Sequence, residues 1–146
     1  MDDDIAAGTN RRFHYVTSTT ASEEEIWRHW THVASWKRWD HGLADATIDG
    51  PFVQGANGTI IPNTGRDATF TIVDLDPGRS YTFDTKLPGA RLRIRRDFVG
   101  GPTTTFRHEV SFEGPLAVVW SVLLGRGFRR QLPGSMSLLA EQAEAR

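Results

Sequence analysis

An α+β domain, in which one antiparallel sheet is backed by a long C-terminal helix, is predicted by three features of the sequence. A strand runs into a short capped helix rich in tryptophan. Residues 45–113 then alternate with a period of two between tight turn signals. One long apolar helix, opened by Gly114-Pro115, ends the chain. A single helix cannot cover a wide curved sheet completely, so a gap for a small apolar ligand is expected between them.

The first strand is carried by Phe13, Tyr15, Thr17 and Thr19, which alternate with Arg12, His14, Val16 and Ser18. Ser22 is a good N-cap and Glu25 stands at N3, a capping box that starts the helix containing Ile26, Trp27 and Trp30. Trp36-Lys37-Arg38-Trp39 predicts a second short helix, ended by Asp40-His41-Gly42. Strands are expected near 45–50, 57–62, 67–75, 79–86, 90–98 and 103–113, giving about seven in all. Turns such as Asp76-Pro77-Gly78, Pro88-Gly89 and Gly100-Gly101-Pro102 separate them, and such short connections require antiparallel neighbours. Pairing Phe98 with Phe106, Arg96 with His108, Ile94 with Val110 and Leu92 with Phe112 puts the apolar residues on one face. It sends Arg91, Arg93, Arg95 and Arg107 to the other, beside Asp97, Glu109 and Glu113. In the last helix, Leu116, Val119, Trp120, Leu123 and Gly127 form the stripe expected to face the sheet, and Leu132, Met136 and Leu139 continue it less regularly. Pro133-Gly134 is expected to kink or break that helix.

At 146 residues the chain has the size of one domain. With 17 basic and 18 acidic residues it has a net charge of -1, so no nucleic-acid partner is expected. Arginine outnumbers lysine 15 to 2, which reads as a coding bias. There are no cysteines, which excludes disulfides and thiol catalysis and suits a cytoplasmic location. Met1 to Asn10 is acidic and rich in small residues; it is expected to be a disordered tail, with the folded domain spanning 11–146. The longest apolar run, Leu116 to Leu124, is about half of what a membrane span needs, so no transmembrane segment is expected. Monomer and dimer both remain open.

Several pieces, in order, resemble the START-like or Bet v 1-like superfamily (SRPBCC). The bacterial polyketide cyclase/dehydrase and lipid-transport group is the most similar. The pieces are Ala21 to Trp27, Trp36-Lys37-Arg38-Trp39-Asp40, Leu75-Asp76-Pro77-Gly78-Arg79, His108 to Leu116 and Leu123 to Gly127, followed by Leu132-Pro133. The resemblance covers about residues 11 to 144. It implies a helix-grip fold and an internal cavity that binds a lipid, polyketide or similar molecule. Alternatively it implies a cyclase or dehydratase acting on a bound β-keto chain, or a co-chaperone-like interaction module using the outer sheet. His32, where the family often has an acid, and Gly134 depart from the pattern.

The expected ligand-binding residues are Tyr15, Phe70, Tyr81, Phe83, Ile94, Arg96, Phe106, His108, Trp120, Leu123 and Gly127, with Phe13, Ile72, Leu92 and Val110 beside them. Arg96 and His108 are the polar pair on an otherwise apolar face. Either they orient a ligand, with His108 as a possible acid or base, or they satisfy one another, Tyr81 or buried water. Trp27 and Trp39 are expected in the core, and Trp30 and Trp36 at a pocket mouth. His29 and His32 are spaced for a metal but lack a third ligand, so no metal or cofactor is expected. No catalytic residue is assigned.

Overall fold

The computed structural model describes residues 5–145. Eight strands form a single antiparallel sheet: β1 (Ala7–Gly8), β2 (Arg12–Thr19), β3 (Leu43–Ile48), β4 (Asn57–Pro62), β5 (Ala68–Asp76), β6 (Ser80–Leu87), β7 (Ala90–Val99) and β8 (Thr104–Glu113). Their order across the sheet is β1-β2-β8-β7-β6-β5-β4-β3. Helix α1 (Glu23–Thr31) and a 3-10 helix (Val33–Arg38) connect β2 to β3. The C-terminal helix comprises α2 (Ala117–Trp120), a π-helical stretch (Ser121–Gly125) and α3 (Arg126–Ala145). This is the helix-grip architecture, a curved open sheet with a long helix on its concave side.

Local chemistry explains the boundaries. Ser22 caps α1, its side-chain oxygen accepting from the Glu25 N–H at 3.1 Å. β7 and β8 pair in the expected register: Phe98 with Phe106, Arg96 with His108, Ile94 with Val110 and Leu92 with Phe112. On the convex face Arg93 makes a two-point bond to Asp84, and Arg107 makes one to Asp97. Arg91 also reaches Asp84 and Arg95 reaches Asp74, so acids on neighbouring strands offset the arginine strip.

Two expectations about the chain ends are corrected. Residues 1–4 of the expected tail lie outside the described residues, but Ala7–Gly8 pairs with Phe13 and His14, and Ala6 is fully buried. Nor does Pro133 break the last helix. Proline removes the N–H that would bond the carbonyl four residues earlier, that of Arg129. The Ala6 N–H takes that carbonyl instead, at 3.0 Å, and Arg129 Nε donates back to the Ala6 carbonyl at 2.8 Å. The N-terminal segment therefore fills the gap that the proline opens. Gly134 gives His41 room, since a Cβ there would stand 3.2 Å from its ring.

Over its first turns the buried stripe of the last helix is also rotated from the one expected, whereas Met136 and Leu139 further along are buried as expected. Ala117, Ser121, Gly125, Met136, Leu139 and Ala143 face inward, while Leu123 is 66% exposed and Gly127 has open space around it. Close approach is the reason. A Cβ on Gly125 would run into the Asn10 carbonyl, so in the first turns the small residues Ala117, Ser121 and Gly125 mark the packed side.

Candidate functional site

The end of α1 organises the centre of the molecule. A helix leaves its last carbonyls without intrahelical donors. Here the Trp30 carbonyl accepts from two side chains, the Tyr81 hydroxyl at 2.8 Å and Trp36 Nε1 at 2.9 Å. Trp30 Nε1 in turn donates to His108 Nε2 at 2.9 Å, so the neutral imidazole carries its proton on Nδ1. Arg96, across from His108 on β7, donates through one terminal nitrogen to the Tyr81 oxygen at 2.6 Å. Arg96 and His108 are thus neighbours that bond to different partners.

Arg96 is only 2% exposed. Its guanidinium carbon lies 4.9 Å from the ring centres of Trp36 and Trp39, 5.0 Å from Phe83 and 5.7 Å from Tyr81. Four aromatic faces therefore surround one charge. Among the described residues it makes no ion pair. Two buried donors, Arg96 Nε and Trp39 Nε1, have no hydrogen-bond partner among the described residues. Buried donors are normally paired, because each one left bare costs about 1–3 kcal/mol.

The titrating groups nearby are displaced from their ordinary ranges. Burial pushes the Tyr81 phenol up to about 12, against the opposing pull of Arg96. Burial, reinforced by the Arg96 charge, holds His108 well below the usual histidine range. The half-buried Asp40 carboxyl is raised by desolvation, while Arg96 and the Gly42 N–H draw it down. Near neutral pH the site therefore contains a cationic arginine, a neutral imidazole and a neutral phenol.

Phe70, Tyr81, Phe83, Arg96, Phe106 and His108 are all buried in this centre, with Tyr15 and Ile94 half-buried at its margin. Ile72 belongs to the same cluster, whereas Phe13, Leu92 and Val110 pack in a second one. Three expected residues are corrected. Leu123 and Gly127 point away from the sheet, and half-buried Trp120 bonds to the Pro88 carbonyl through its indole at 2.8 Å, outside the central cluster. Trp30 and Trp36 do not form a mouth; they are 0% and 1% exposed. Trp39 is buried as expected, while Trp27 is half-buried, edge-on to Trp30 and Tyr81.

The expected gap is filled. Trp30, Trp36, Trp39, Phe70, Phe83 and Met136 occupy the space between sheet and helix. An open depression of about 480 Å³ lies instead on the convex side, lined by residues including Thr69, Thr71, Asp84, Lys86 and Arg91. Sequence reasoning missed Trp30, Trp36, Trp39 and Asp40 as partners of the polar pair. The Trp-x-x-Trp-Asp segment was the available signal, since it follows directly on a helix end whose carbonyls need donors. Among the described residues no group of His, Asp and Glu could hold a metal, and His29 Nδ1 lies 2.9 Å from the carbonyl of Glu25.

Residues 11–144 match the family profile described as polyketide cyclase / dehydrase and lipid transport. The chain belongs to this family. No curated protein matches it. Solved structures share the fold at low identity. The protein MLL2253 from Mesorhizobium loti is 18% identical with a TM-score of 0.71, over 92% of this chain and 98% of that one. The di-domain ARO/CYC StfQ from the steffimycin biosynthetic pathway is 13% identical with a TM-score of 0.69, over 97% of this chain; this chain spans about half of its length (52%). Norcoclaurine synthase from Thalictrum flavum, in complex with dopamine and hydroxybenzaldehyde, is 12% identical with a TM-score of 0.65, over 92% of this chain and 86% of that one. At these identities the likeness is one of fold. Among the described residues no helix is long and apolar enough to cross a membrane.

Proposed function

We propose that this family member binds a small, mainly aromatic or apolar molecule through an oxygen acceptor, a carboxylate, enolate or carbonyl, held in the core by Arg96. One observation carries the reading: a buried arginine without an ion pair, whose Nε and the neighbouring Trp39 Nε1 lack acceptors. A ligand oxygen placed between them would satisfy both donors and neutralise the charge, and the surrounding rings would pack against an apolar body. Since the core is filled, admission requires side chains to move. Half-buried Phe52, which packs edge-on to Tyr81 at 4.9 Å at the margin of the cluster, is the side chain we assign to this movement.

Binding is favoured over proton transfer because His108 and Tyr81 are both held away from neutral pH, where a general acid or base works best. The second reading is turnover of a bound β-keto chain, for which the family description and the ARO/CYC neighbours speak. In that case Arg96 would hold the enolate and Tyr81 would donate a hydrogen bond to it.

Calorimetry with 2-naphthoate tests the proposal. Replacing buried charges together with their ion-pair partners by apolar side chains of similar size is often neutral for stability. Arg96 has no ion-pair partner among the described residues to leave uncompensated. Arg96→Met should therefore keep its melting temperature within a few degrees and bind 2-naphthoate at least tenfold more weakly, the loss of a charged hydrogen bond of about 1.5–3 kcal/mol. Equal affinity in the two proteins would remove Arg96 from the site. Conversion of a β-keto thioester by the wild type, abolished in Tyr81→Phe, would establish the second reading.

A further inference from the structure

The start of the C-terminal helix exposes a run of aliphatic side chains. Leu116, Val118, Val119, Val122 and Leu123 are 45–74% exposed. Spaced three and four apart, they form one surface on the helix. The turn between β6 and β7 continues it, because Leu116 lies against Gly89 and the Trp120 indole bonds to the Pro88 carbonyl. Exposed clusters of this kind mark interaction sites.

The surroundings of the patch are basic. Arg126 and Arg130 are exposed in the next two turns. Arg11 is exposed at the same end, since its neighbour Asn10 touches Gly125. Among the described residues none of these three arginines makes an ion pair. The sequence has no acid from Gly114 to Ala140. We infer that this aliphatic patch and its arginine rim form a docking surface for an anionic lipid bilayer. Aliphatic side chains enter the acyl boundary, the half-buried indole of Trp120 sits at headgroup level, and the arginines meet lipid phosphates. A second copy of the chain fits less well. A two-fold contact sets a patch against itself and would bring the two arginine rims together with no acid between them.

This docking surface is independent of the Arg96 site, so each can fail alone. The test is co-sedimentation of the full chain, including Asp2 to Asp4, which lie outside the described residues. Vesicles of phosphatidylcholine are compared with vesicles containing phosphatidylserine as well. The protein should partition onto the anionic vesicles only, and less as salt rises. Val122→Ser with Leu123→Ser should abolish binding, and Arg126→Ala with Arg130→Ala should weaken it roughly tenfold or more. These side chains are exposed, so an unchanged melting temperature should confirm folding in both variants. No partition, equal partition onto both vesicle types, or partition that ignores the variants would overturn the inference. So would a dimer in ultracentrifugation that dissociates in the Val122→Ser, Leu123→Ser protein.

Discussion

At the scale of single residues, Trp36 and Trp39 provide a comparison within one site. Both rings are buried against Arg96, yet Trp36 Nε1 bonds to the Trp30 carbonyl and Trp39 Nε1 has no partner among the described residues. Replacing either with phenylalanine removes similar volume. Trp36→Phe also loses a hydrogen bond, whereas Trp39→Phe removes a bare donor. Urea unfolding should therefore find Trp39→Phe less destabilising by about 1–3 kcal/mol. Equal losses would mean that Trp39 is already paired in solution. His108 sets a pH dependence. Its folded pKa lies below the ordinary 6.5, so beneath that pH the unfolded chain takes a proton that the folded chain refuses. Stability is present at neutral pH and is lost as the pH falls through this window, with a slope of up to about 1.4 kcal/mol per pH unit. The raised Asp40 carboxyl acts in the opposite sense, so the diagnostic comparison is with His108→Gln. That variant should unfold with a shallower acid limb, and an identical limb would show that His108 is not the group refusing the proton.

At the scale of elements, the last helix and the N-terminal segment depend on each other. Pro133 leaves the Arg129 carbonyl to the Ala6 N–H. Ala6→Pro should cost about 1 kcal/mol or more in the wild type and less in a Pro133→Ala background, where the helix supplies its own donor. Additive costs in this double-mutant cycle would contradict the pairing. The same region shows which parts of the fold were legible in the sequence. Strand positions and the β7–β8 register followed from alternation, because a one-residue slip would have turned Leu92, Ile94 and Phe98 outward. In the last helix, Met136 and Leu139 are buried as the pattern suggested, but the face of its first turns did not follow. Its apolar residues surround the axis, and the buried side is decided by the contact of Gly125 with Asn10, more than a hundred residues away in sequence. The pairing of Ala6 with Arg129 was hidden for the same reason: a bare carbonyl at Pro133 can be anticipated, but not the donor that reaches it.

At the scale of the whole molecule, one polar island lies at the centre of an aromatic core, between the concave face of the sheet and α1. Sequence pattern placed Arg96 and His108 on one face because both stand among apolar neighbours at alternate positions. It did not reveal that tryptophans from α1 and the 3-10 helix fill the space above them, since that depends on where the connection between β2 and β3 folds back. The expected internal cavity and the observed packing differ by those rings. A ligand would have to use the same two bare donors and displace part of this packing. The most direct test follows the indole Nε1–H and arginine Nε–H signals of isotope-labelled protein during titration with 2-naphthoate. Binding in the core predicts saturable shifts of the Trp39 Nε1–H and Arg96 Nε–H signals, while that of Trp120, bonded to Pro88 outside the cluster, stays in place. Shifts confined to Trp120, or no saturable shift at all, would contradict a ligand site at Arg96.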